Sequence, residues 1–404
     1  MPATAHTRPL SPRLRASPPI RAALLRTTLL VGPLSLLACG GGGASSTGPD
    51  TGSLSVTTKT SGQSLDPDGY TVTVDGGQAT SIGTNDSKAF ASLSPGSHEV
   101  ELSDVRANCA VGGDNPRSVS IDAGARSGAL FDVTCQQALV DRIAFSTTRD
   151  GNIEVYVMNP DGSEPVDLSN DPSSDGSPAI SPDGTKVAFV TYRDGNNEIY
   201  VMNADGSDPV DLTNDVADDG GPAWSPDGSQ IAFWTDRDGN AEIYVMNADG
   251  SNPIRLTNNP AIDSNPAWSP DGSQIAFTSS RPGNDDIYVM DAAGSDPADL
   301  TNDPAEDTDP AWSPDGTQIA FATSRDGNLE VYVMNADGSS PLRLTHGSGV
   351  EVGPTWSPDG SKIAFQGDKN AVADIWVMDA DGSNQVDVTL TPASEAEPAW
   401  SPLQ

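Results

Sequence analysis

The chain has 404 residues, of which 57 are acidic and 21 basic, so its formal net charge at pH 7 is −36. The first 38 residues hold five of the arginines and no acidic residue, so the rest of the chain has 16 basic residues against 57 acidic ones, a net charge of −41. A surface this acidic repels the phosphates of nucleic acids and of anionic lipids, which excludes both as partners bound by charge.

Residues 1–38 predict a lipoprotein signal peptide. The mostly apolar stretch 27–38 follows the arginines, and it is too short to span a bilayer as a helix but long enough for the apolar core of a signal peptide. The string Leu36-Leu37-Ala38-Cys39 resembles the bacterial lipobox, which implies cleavage before Cys39 and lipidation of its thiol. An ordinary signal peptide with an incidental cysteine is the alternative.

Residues 39–52 are rich in glycine and serine and predict a flexible tether. The residue after the cysteine is Gly40 and not aspartate, which by resemblance to lipoprotein sorting favours the outer membrane, with the protein facing the periplasm or the outside. No other segment of the sequence is predicted to span a membrane, so we expect attachment by lipid alone.

Cys109 and Cys135 are the two cysteines that remain after Cys39. In an exported protein such a pair favours a disulfide, which would stabilise the fold by about 3.5 kcal/mol in the chain-entropy model. Two buried free thiols are the alternative.

Residues 53–136 contain six short segments in which apolar and polar residues alternate, a pattern typical of half-buried strands and sufficient for a small Ig-like β-sandwich. They lie within 54–56, 70–74, 90–93, 98–102, 119–121 and 130–133. The string Leu93-Ser-Pro-Gly-Ser-His98-Glu-Val100 resembles the Leu-x-Pro-Gly-x-Tyr-x-Val segment of PEGA and carboxypeptidase-regulatory-like domains, which implies a spacer or adhesive module. His98 replaces the aromatic residue, and we interpret it as a strand residue at a sheet surface and not as a ligand.

Residues 137–404 repeat one pattern every 44 residues. The turn Ser-Pro-Asp-Gly begins at Ser181, Ser225, Ser269, Ser313 and Ser357, and a sixth Ser-Pro begins at Ser401. Each unit has four short runs rich in β-branched and aromatic residues, separated by turns of the Asp-Gly or Gly-Asn type. Four strands in a repeat of about 40 to 45 residues predict a propeller blade, so we expect an all-β chain with a six-bladed β-propeller.

The strings Pro-Ala-Trp-Ser-Pro-Asp-Gly, Ile-Ala-Phe, Arg-Asp-Gly-Asn and Ile-Tyr-Val-Met-Asn-Ala-Asp-Gly resemble the TolB-type β-propeller repeat. The resemblance covers residues 137–404 and implies a fold more than an activity, because scaffolds, oligopeptidase caps and some polysaccharide lyases share the repeat. TolB itself carries a mixed α/β domain before its propeller, so the resemblance does not bring Tol-system partners to this chain.

The repeat begins with a second strand near residue 141 and ends with a first strand near residue 400. We therefore expect the C-terminal strand to complete the N-terminal blade in a one-plus-three closure, which removes unpaired sheet edges. Strand alternation places the second-to-third turns and the fourth-to-first loops on one face, where we expect binding.

A cation recurs in every second-to-third turn, five residues before a carboxylate. We interpret these residues as ion pairs across the hairpin, although an anion-binding ring is the alternative; we interpret the fourth-strand charges as edge protection and the repeated tryptophans as packing between blades. The cations are Arg149, Arg193, Arg237, Arg281, Arg325 and Lys369, and the carboxylates are Glu154, Glu198, Glu242, Asp286, Glu330 and Asp374.

Function is expected where the repeats differ on the binding face, which makes six residues candidate binding residues. They are Tyr192, Trp234, Asp236, His346, Gln366 and Asp368. For each, sequence drift is the alternative.

The sequence predicts a binding protein and not an enzyme. It has no Gly-x-Ser-x-Gly turn, the repeat runs to the last residue, and only His98 and His346 follow Cys39. No cofactor is expected; Ca²⁺ on the loop 214–220 is an open alternative to a solvated acidic turn. We expect a lipid-anchored interaction protein that docks an envelope protein, peptide or glycan, with a carbohydrate-active or hydrolytic enzyme using channel carboxylates as the alternative.

Overall fold

The computed structural model describes residues 50–281, 283–368 and 372–401, and every regular element in these ranges is a β-strand. The predicted all-β class is therefore confirmed. No helix in the described part of the chain has the length and apolarity needed to cross a bilayer. Cys39 and Lys369 lie outside the described residues.

The N-terminal strands form two four-stranded sheets. They are β1 Gly52–Gly62, β2 Tyr70–Val74, β3 Thr80–Ile82, β4 Ser87–Leu93, β5 Gly96–Ser103, β6 Cys109–Val111, β7 Arg117–Ile121 and β8 Arg126–Cys135. The sheet orders are β4-β1-β8-β6 and β3-β2-β5-β7. The alternating pattern missed β3 and β6, which have three residues each and too few positions to show a period.

One continuous core fills the space between these two sheets. Leu54 and Val56 of β1, Val72 of β2, Val100 of β5 and Phe131 of β8 are all buried in it. Cys109 of β6 lies directly opposite Cys135 of β8 in the sheet, and their sulfur atoms are bonded at 2.03 Å.

The remaining strands form six four-stranded antiparallel sheets, the blades. The strands are β9 Ile143–Thr147, β10 Glu154–Met158, β11 Val166–Asp167, β12 Asp175–Ile180, β13 Lys186–Thr191, β14 Glu198–Asn203, β15 Val210–Asp211, β16 Asp219–Trp224, β17 Gln230–Thr235, β18 Glu242–Asn247, β19 Ile254–Arg255, β20 Asp263–Trp268, β21 Gln274–Ser279, β22 Asp286–Asp291, β23 Ala298–Asp299, β24 Asp307–Trp312, β25 Gln318–Thr323, β26 Glu330–Asn335, β27 Leu342–Arg343, β28 Glu351–Trp356, β29 Lys362–Gly367, β30 Asp374–Asp379, β31 Val386–Asp387 and β32 Glu395–Trp400.

Blade 1 joins the two ends of the repeat region. Its strand order is β11-β10-β9-β32, so the last strand of the chain pairs with β9, from Glu395 opposite Thr147 to Trp400 opposite Ile143. Blades 2 to 6 are β12–β15, β16–β19, β20–β23, β24–β27 and β28–β31 in chain order. This is the one-plus-three arrangement expected from the offset of the repeat.

Local turn chemistry explains why each repeat forms a hairpin at Ser-Pro-Asp-Gly. In blade 3, Ser225 Oγ donates to Asp227 Oδ1 at 2.6 Å, and the Ser229 amide donates to the same oxygen at 3.0 Å. Gly228 has a φ of 69°, a left-handed conformation that glycine adopts at little cost. These hydrogen bonds stabilise the Asp227 carboxylate and lower its pKa to about 2.

The cores between blades repeat with the same period. The phenylalanine of each second strand, such as Phe189 or Phe233, is fully buried. Trp224 of blade 3 donates its indole hydrogen to Ala179 O of blade 2 at 3.1 Å, and Trp356 of blade 6 does the same to Ala311 O of blade 5. The tryptophans thus pack between blades, as expected.

The sandwich joins the propeller at blade 2. Leu139 is buried with Val187 and Phe189, and its amide donates to Gly184 O at 2.8 Å. Gly184 belongs to a Ser-Pro-Asp-Gly turn, so the sandwich attaches on the side of the propeller where these turns lie.

Candidate functional site

Strand direction divides the propeller into two faces. The turn face carries the Ser-Pro-Asp-Gly turns and the third-to-fourth turns, exemplified by residues 181–184 and 203–207. The loop face carries the second-to-third turns and the fourth-to-first loops, exemplified by residues 192–197 and 212–218. Because the sandwich attaches on the turn face, the loop face is the side that the N-terminal strands leave open.

The cations on the loop face pair with the first strand of their own blade and not with the carboxylate five residues later. Arg149 Nη2 lies 3.0 Å from Glu395 Oε1, whereas the predicted partner was Glu154. The other four described pairs have N–O distances of 2.8 to 3.2 Å: Arg193–Asp175, Arg237–Asp219, Arg281–Asp263 and Arg325–Asp307. All five carboxylates are fully buried. The predicted hairpin ion pair is therefore wrong.

The reason is that the carboxylate five residues later already has partners. Glu154 Oε1 accepts a hydrogen bond from Asn152 Nδ2 at 2.6 Å, and its Oε2 accepts one from Ser169 Oγ at 2.5 Å. The Arg149 guanidinium instead lies over the rings of Phe145 and Tyr156, 5.3 and 4.7 Å from their centroids, which directs it towards the first strand. Because the described arginines are all committed in this way, they do not form an anion-binding ring.

The fourth-strand charges also have internal partners, which the edge-protection interpretation did not include. Arg255 Nη2 lies 2.8 Å from Glu242 Oε1, and Arg343 Nη2 contacts Glu330 Oε1 in the same way. In blade 1 the equivalent residue is Asp167, whose Oδ1 accepts the Asn170 amide hydrogen at 3.0 Å. These charges therefore shape the fourth-to-first loops.

The first strands of the six blades line a central channel with a cavity of about 370 Å³. Each first strand has a bulge at the residue before a proline, and all six bulge residues have left-handed φ values between 48° and 59°. The bulge residues are Ser177, Gly221, Asn265, Asp309, Gly353 and Glu397. Two are glycines, as this conformation favours, but the other four hold side chains in the channel at a conformational cost.

Two of these side chains are carboxylates that other channel residues hold in place. Glu397 Oε2 accepts hydrogen bonds from Ser146 Oγ at 2.6 Å and from the Ser177 amide at 2.7 Å. Asp309 Oδ1 accepts one from Asn265 Nδ2 at 2.5 Å. Burial raises the pKa of Asp309, and the charge of Glu397 raises it further. Sequence reasoning missed both residues; the available signal was that the residue before the first-strand proline differs between repeats.

The six candidate binding residues do not form one site. Trp234 and Gln366 occupy equivalent second-strand positions beside the channel: Gln366 lines the cavity, and the Trp234 indole packs on Gly220, where a Cβ would lie 2.5 Å from Trp234 Cζ2. His346 is exposed in the fourth-to-first loop after blade 5.

Tyr192, Asp236 and Asp368 share another position, just after the second strand. Asp236 Oδ1 accepts the Asp218 amide hydrogen at 3.0 Å, the Tyr192 side chain is 54% exposed, and the Asp368 amide donates to Val350 O at 3.0 Å. Tyr192 thus presents an aromatic ring to solvent, whereas Asp236 holds the fourth-to-first loop that contains Asp218.

The acidic side chains of the loop 214–220 already have hydrogen-bond or ion-pair partners within the protein. Asp215 Oδ1 accepts the Ala217 amide hydrogen at 2.8 Å, Asp218 Oδ1 accepts that of Asn197 at 2.9 Å, and Asp219 pairs with Arg237. Across the described ranges there is no group of three or more histidine, cysteine, aspartate or glutamate side chains placed to hold a metal ion.

His98 lies in the N-terminal sandwich, where it is buried and not at a sheet surface as predicted. Its Nδ1 is 2.6 Å from Asp75 Oδ2 and its Nε2 is 2.7 Å from Ser94 O. Both partners are acceptors, so the arrangement favours a doubly protonated imidazolium and raises the pKa of His98, through the Ser94 carbonyl first and Asp75 second.

Exposed apolar side chains also distinguish the two faces. On the loop face, large apolar residues are exposed at positions that do not recur in every blade: Ile153, Tyr192, Val216, Ile262, Val350 and Leu390. Val216 is 99% exposed and Leu390 80%. Among the described residues, the turn face has no exposed large apolar side chain.

Comparison with known proteins identifies the repeat. The profile described as "TolB beta propeller domain" matches residues 140–219, 212–309 and 298–404. The crystal structure of TolB from Acinetobacter baumannii is 23% identical with a TM-score of 0.60, covering 77% of this chain and 80% of that one. Putative TolB from Agrobacterium tumefaciens is 26% identical with a TM-score of 0.52, covering 61% and 88%.

The same comparison shows how widely the architecture is shared. A chain in the crystal structure of a nidogen/laminin complex superposes with a TM-score of 0.53 at 15% identity, covering 64% of this chain and 98% of that one, which is a likeness of fold alone. No curated protein matches the chain.

Proposed function

The chain belongs to the TolB β-propeller family, and from this premise we propose that it is a cell-envelope interaction protein whose loop face docks a protein or peptide. In this proposal Cys39 is the lipidated N-terminus of the mature protein, residues 39–52 are the tether, and the PEGA-like sandwich 53–136 is a spacer that carries the propeller 137–404. Lipid alone attaches the protein, at the outer membrane.

The observation that carries the proposal is the set of exposed apolar residues on the loop face. Apolar side chains needed for the blade recur in every repeat and are buried or lie on the outer rim, as Val210 and Ile254 do. Val216, Ile262 and Leu390 do not recur in every repeat, and their exposed side chains do not stabilise the blade. Apolar groups ringed by polar loops are typical of surfaces that bind another protein.

Partner capture with matched variants tests this function. The mature full-length protein serves as bait in a detergent-solubilised envelope, beside a loop-face variant, Val216→Ser/Ile262→Ser/Leu390→Asn. The control is a rim variant, Val210→Ser/Ile254→Ser/Val386→Ser, which removes side chains that are 56 to 58% exposed on fourth strands. We expect a partner captured by the wild type and the rim variant to be lost from the loop-face variant; equal capture by all three would contradict the proposal.

Lipid attachment has its own test. A cell that expresses the full chain and takes up a clickable fatty acid should label the wild-type protein and leave Cys39→Ser unlabelled. Label in both proteins, or in neither, would contradict a lipid anchor at Cys39.

The second candidate function is catalysis by the channel carboxylates, which Asp309 and Glu397 favour because they are two carboxyl groups in one cavity. In this case the two carboxyl groups would act as general acid and base in the hydrolysis or lysis of a polysaccharide or peptide. Turnover of such substrates that disappears in Asp309→Asn and Glu397→Gln would replace the docking proposal with this one.

A further inference from the structure

We propose that the central channel is a binding site for a cationic side chain, a lysine ammonium or an arginine guanidinium, that a protein docked on the loop face inserts between Asp309 and Glu397. This inference rests on the proposed docking function and adds the chemistry of the partner.

Asp309 and Glu397 lie in the half of the channel nearer the loop face. The first strands start on the loop face, and Asp309 and Glu397 are each the third residue of their strand. At about 3.3 Å per residue, they lie about 7 Å below the strand ends. The cavity of about 370 Å³ is at the lower end of the range of about 300 to 1,000 Å³ typical of ligand sites. Its depth and size therefore match one long side chain.

The charge of the lining matches a cation. Among the described residues that line the cavity, Asp309 and Glu397 are the charged ones, and both are acidic. The repeated cations of the same two blades do not offset them, since Arg149 and Arg325 are held by buried Glu395 and Asp307. Two like charges that line one cavity repel each other, and a bound ammonium or guanidinium group would offset that repulsion.

Both carboxylates are held ready by other channel residues. Ser146 and Ser177 orient Glu397, and Asn265 orients Asp309. Glutamate at a φ of 54° is strained, and Gly221 and Gly353 show that the blade accepts glycine at this position. Strain that the fold does not require, next to two oriented carboxylates, indicates a use for the side chains.

A side-chain cation fits this site better than a divalent metal ion. Ca²⁺ takes six to eight oxygen ligands, and the described residues contain no group of three or more carboxylates or imidazoles placed for a metal. An ammonium group has three donors, and a guanidinium has five, which two carboxylates and the Asn265 carbonyl oxygen can accept.

Binding of short capped peptides tests the inference. The probes are Gly-Gly-Lys-Gly-Gly, its arginine analogue and its norleucine analogue, each titrated into the mature full-length protein and followed by NMR. The channel variant is Asp309→Asn/Glu397→Gln. The control is Asp285→Asn/Glu306→Gln, which removes two loop-face carboxylates that interact with each other but do not line the cavity.

We expect the lysine or arginine peptide to bind the wild type and the control equally and the channel variant at least tenfold more weakly, with no binding of the norleucine peptide. Equal affinity for the channel variant and the wild type would overturn the inference, and so would binding of the norleucine peptide. A parallel CaCl₂ titration that detects a calcium site lost in the channel variant would also overturn it, in favour of a metal site.

A second variant, Asp309→Gly/Glu397→Gly, guards against a folding defect. Blades 3 and 6 already carry glycine at this position, so the fold accepts the change. We expect this variant to lose peptide binding to the same extent as the channel variant. The partner capture experiment separates the two proposals. If the channel variant still captures the partner but binds no cationic peptide, docking stands and the inference fails; if the peptide binds and no partner is captured, the docking function fails.

Discussion

Leu390 shows how a single residue can oppose the stability of its own blade. It has a φ of 43° and is 80% exposed, while Asn170, Asn214 and Asn302 occupy the equivalent left-handed position in other blades. Asparagine tolerates this conformation better than leucine does. We expect Leu390→Asn to raise the free energy of unfolding by about 0.5 to 1 kcal/mol in urea titrations.

The same substitution should weaken partner capture, because it removes an apolar contact from the loop face. Val386→Ser on the rim of the same blade is the control, since it should leave capture unchanged. A variant that is more stable and captures the partner equally well would remove Leu390 from the docking surface.

Asp286 makes the stability of blade 4 depend on pH. It stands where blades 1, 2, 3 and 5 have glutamate, and burial, followed by the charge of Asp299, raises its pKa to about 6. A raised carboxyl pKa means that the folded state holds the proton more tightly than the unfolded chain, so this contribution is present below about pH 4 and is lost as pH rises to about 6.

We therefore expect Asp286→Asn to be more stable than the wild type at pH 7, by about 1 to 2 kcal/mol once solvent screening is allowed for, and to show no advantage at pH 4. Thermal melts at both pH values measure the difference. Asp296→Asn, an exposed turn residue on the turn face, is the control, and a difference that does not change with pH would contradict the assignment.

His98 should have the opposite pH dependence. Its pKa is raised by Ser94 and Asp75, so the stability it contributes is present below the unfolded pKa of about 6.5 and is lost as pH rises through the higher folded value. Urea unfolding between pH 6 and pH 9 should show this loss in the wild type and not in His98→Gln. Parallel curves for the two proteins would mean that the imidazole stays neutral.

At the scale of the strand, the arginine pairs show why burial matters more than charge count. Arg193 is the partner of Asp175, which is fully buried, and burial is the largest influence on that carboxyl group, raising its pKa. Removing one partner of a buried pair leaves the other charge without compensation, which costs about 3 to 5 kcal/mol.

We expect Arg193→Met to lower the free energy of unfolding by about that amount. Arg142→Met is the matched control, because its partner Glu164 is mostly exposed and such pairs contribute about 0 to 1 kcal/mol. Equal losses in the two variants would show that the buried pair has no special weight.

The stability of the propeller ring depends on β32, the last strand of the chain. Ending the chain at Thr391 removes β32 and leaves the inner edge of β9 unpaired. We expect the truncated protein to aggregate or to lose more than about 10 °C in Tm, whereas deletion of residues 402–404 alone should change it little. An unchanged Tm after the longer truncation would contradict the closure.

At the scale of the whole molecule, the division between two faces follows from how the repeat is built. The turn face uses Asp-Gly turns that satisfy themselves, as Asp227 does with Ser225 and Ser229, and it is also where Leu139 joins the sandwich to blade 2. The loop face has longer connections, and there the repeats differ most. The propeller therefore presents its variable side away from the N-terminal strands.

Much of this architecture could be predicted because its causes are local. The period of 44 residues, the left-handed glycine of each Ser-Pro-Asp-Gly turn and the offset of the first and last strands can all be read in the sequence, and the sheet orders agree with them. The partner of Arg149 could not be predicted in this way, because Glu395 lies 246 residues away and is adjacent only after the ring has closed.

The sequence by itself therefore determined the blades, since hairpin turns and strand patterns act over a few residues. The tertiary structure decided the site. Asp309 and Glu397 are 88 residues apart and face one cavity only because six first strands converge on one axis. Burial in that channel also raises the pKa of the Asp309 carboxyl group, an effect that no local sequence pattern reveals.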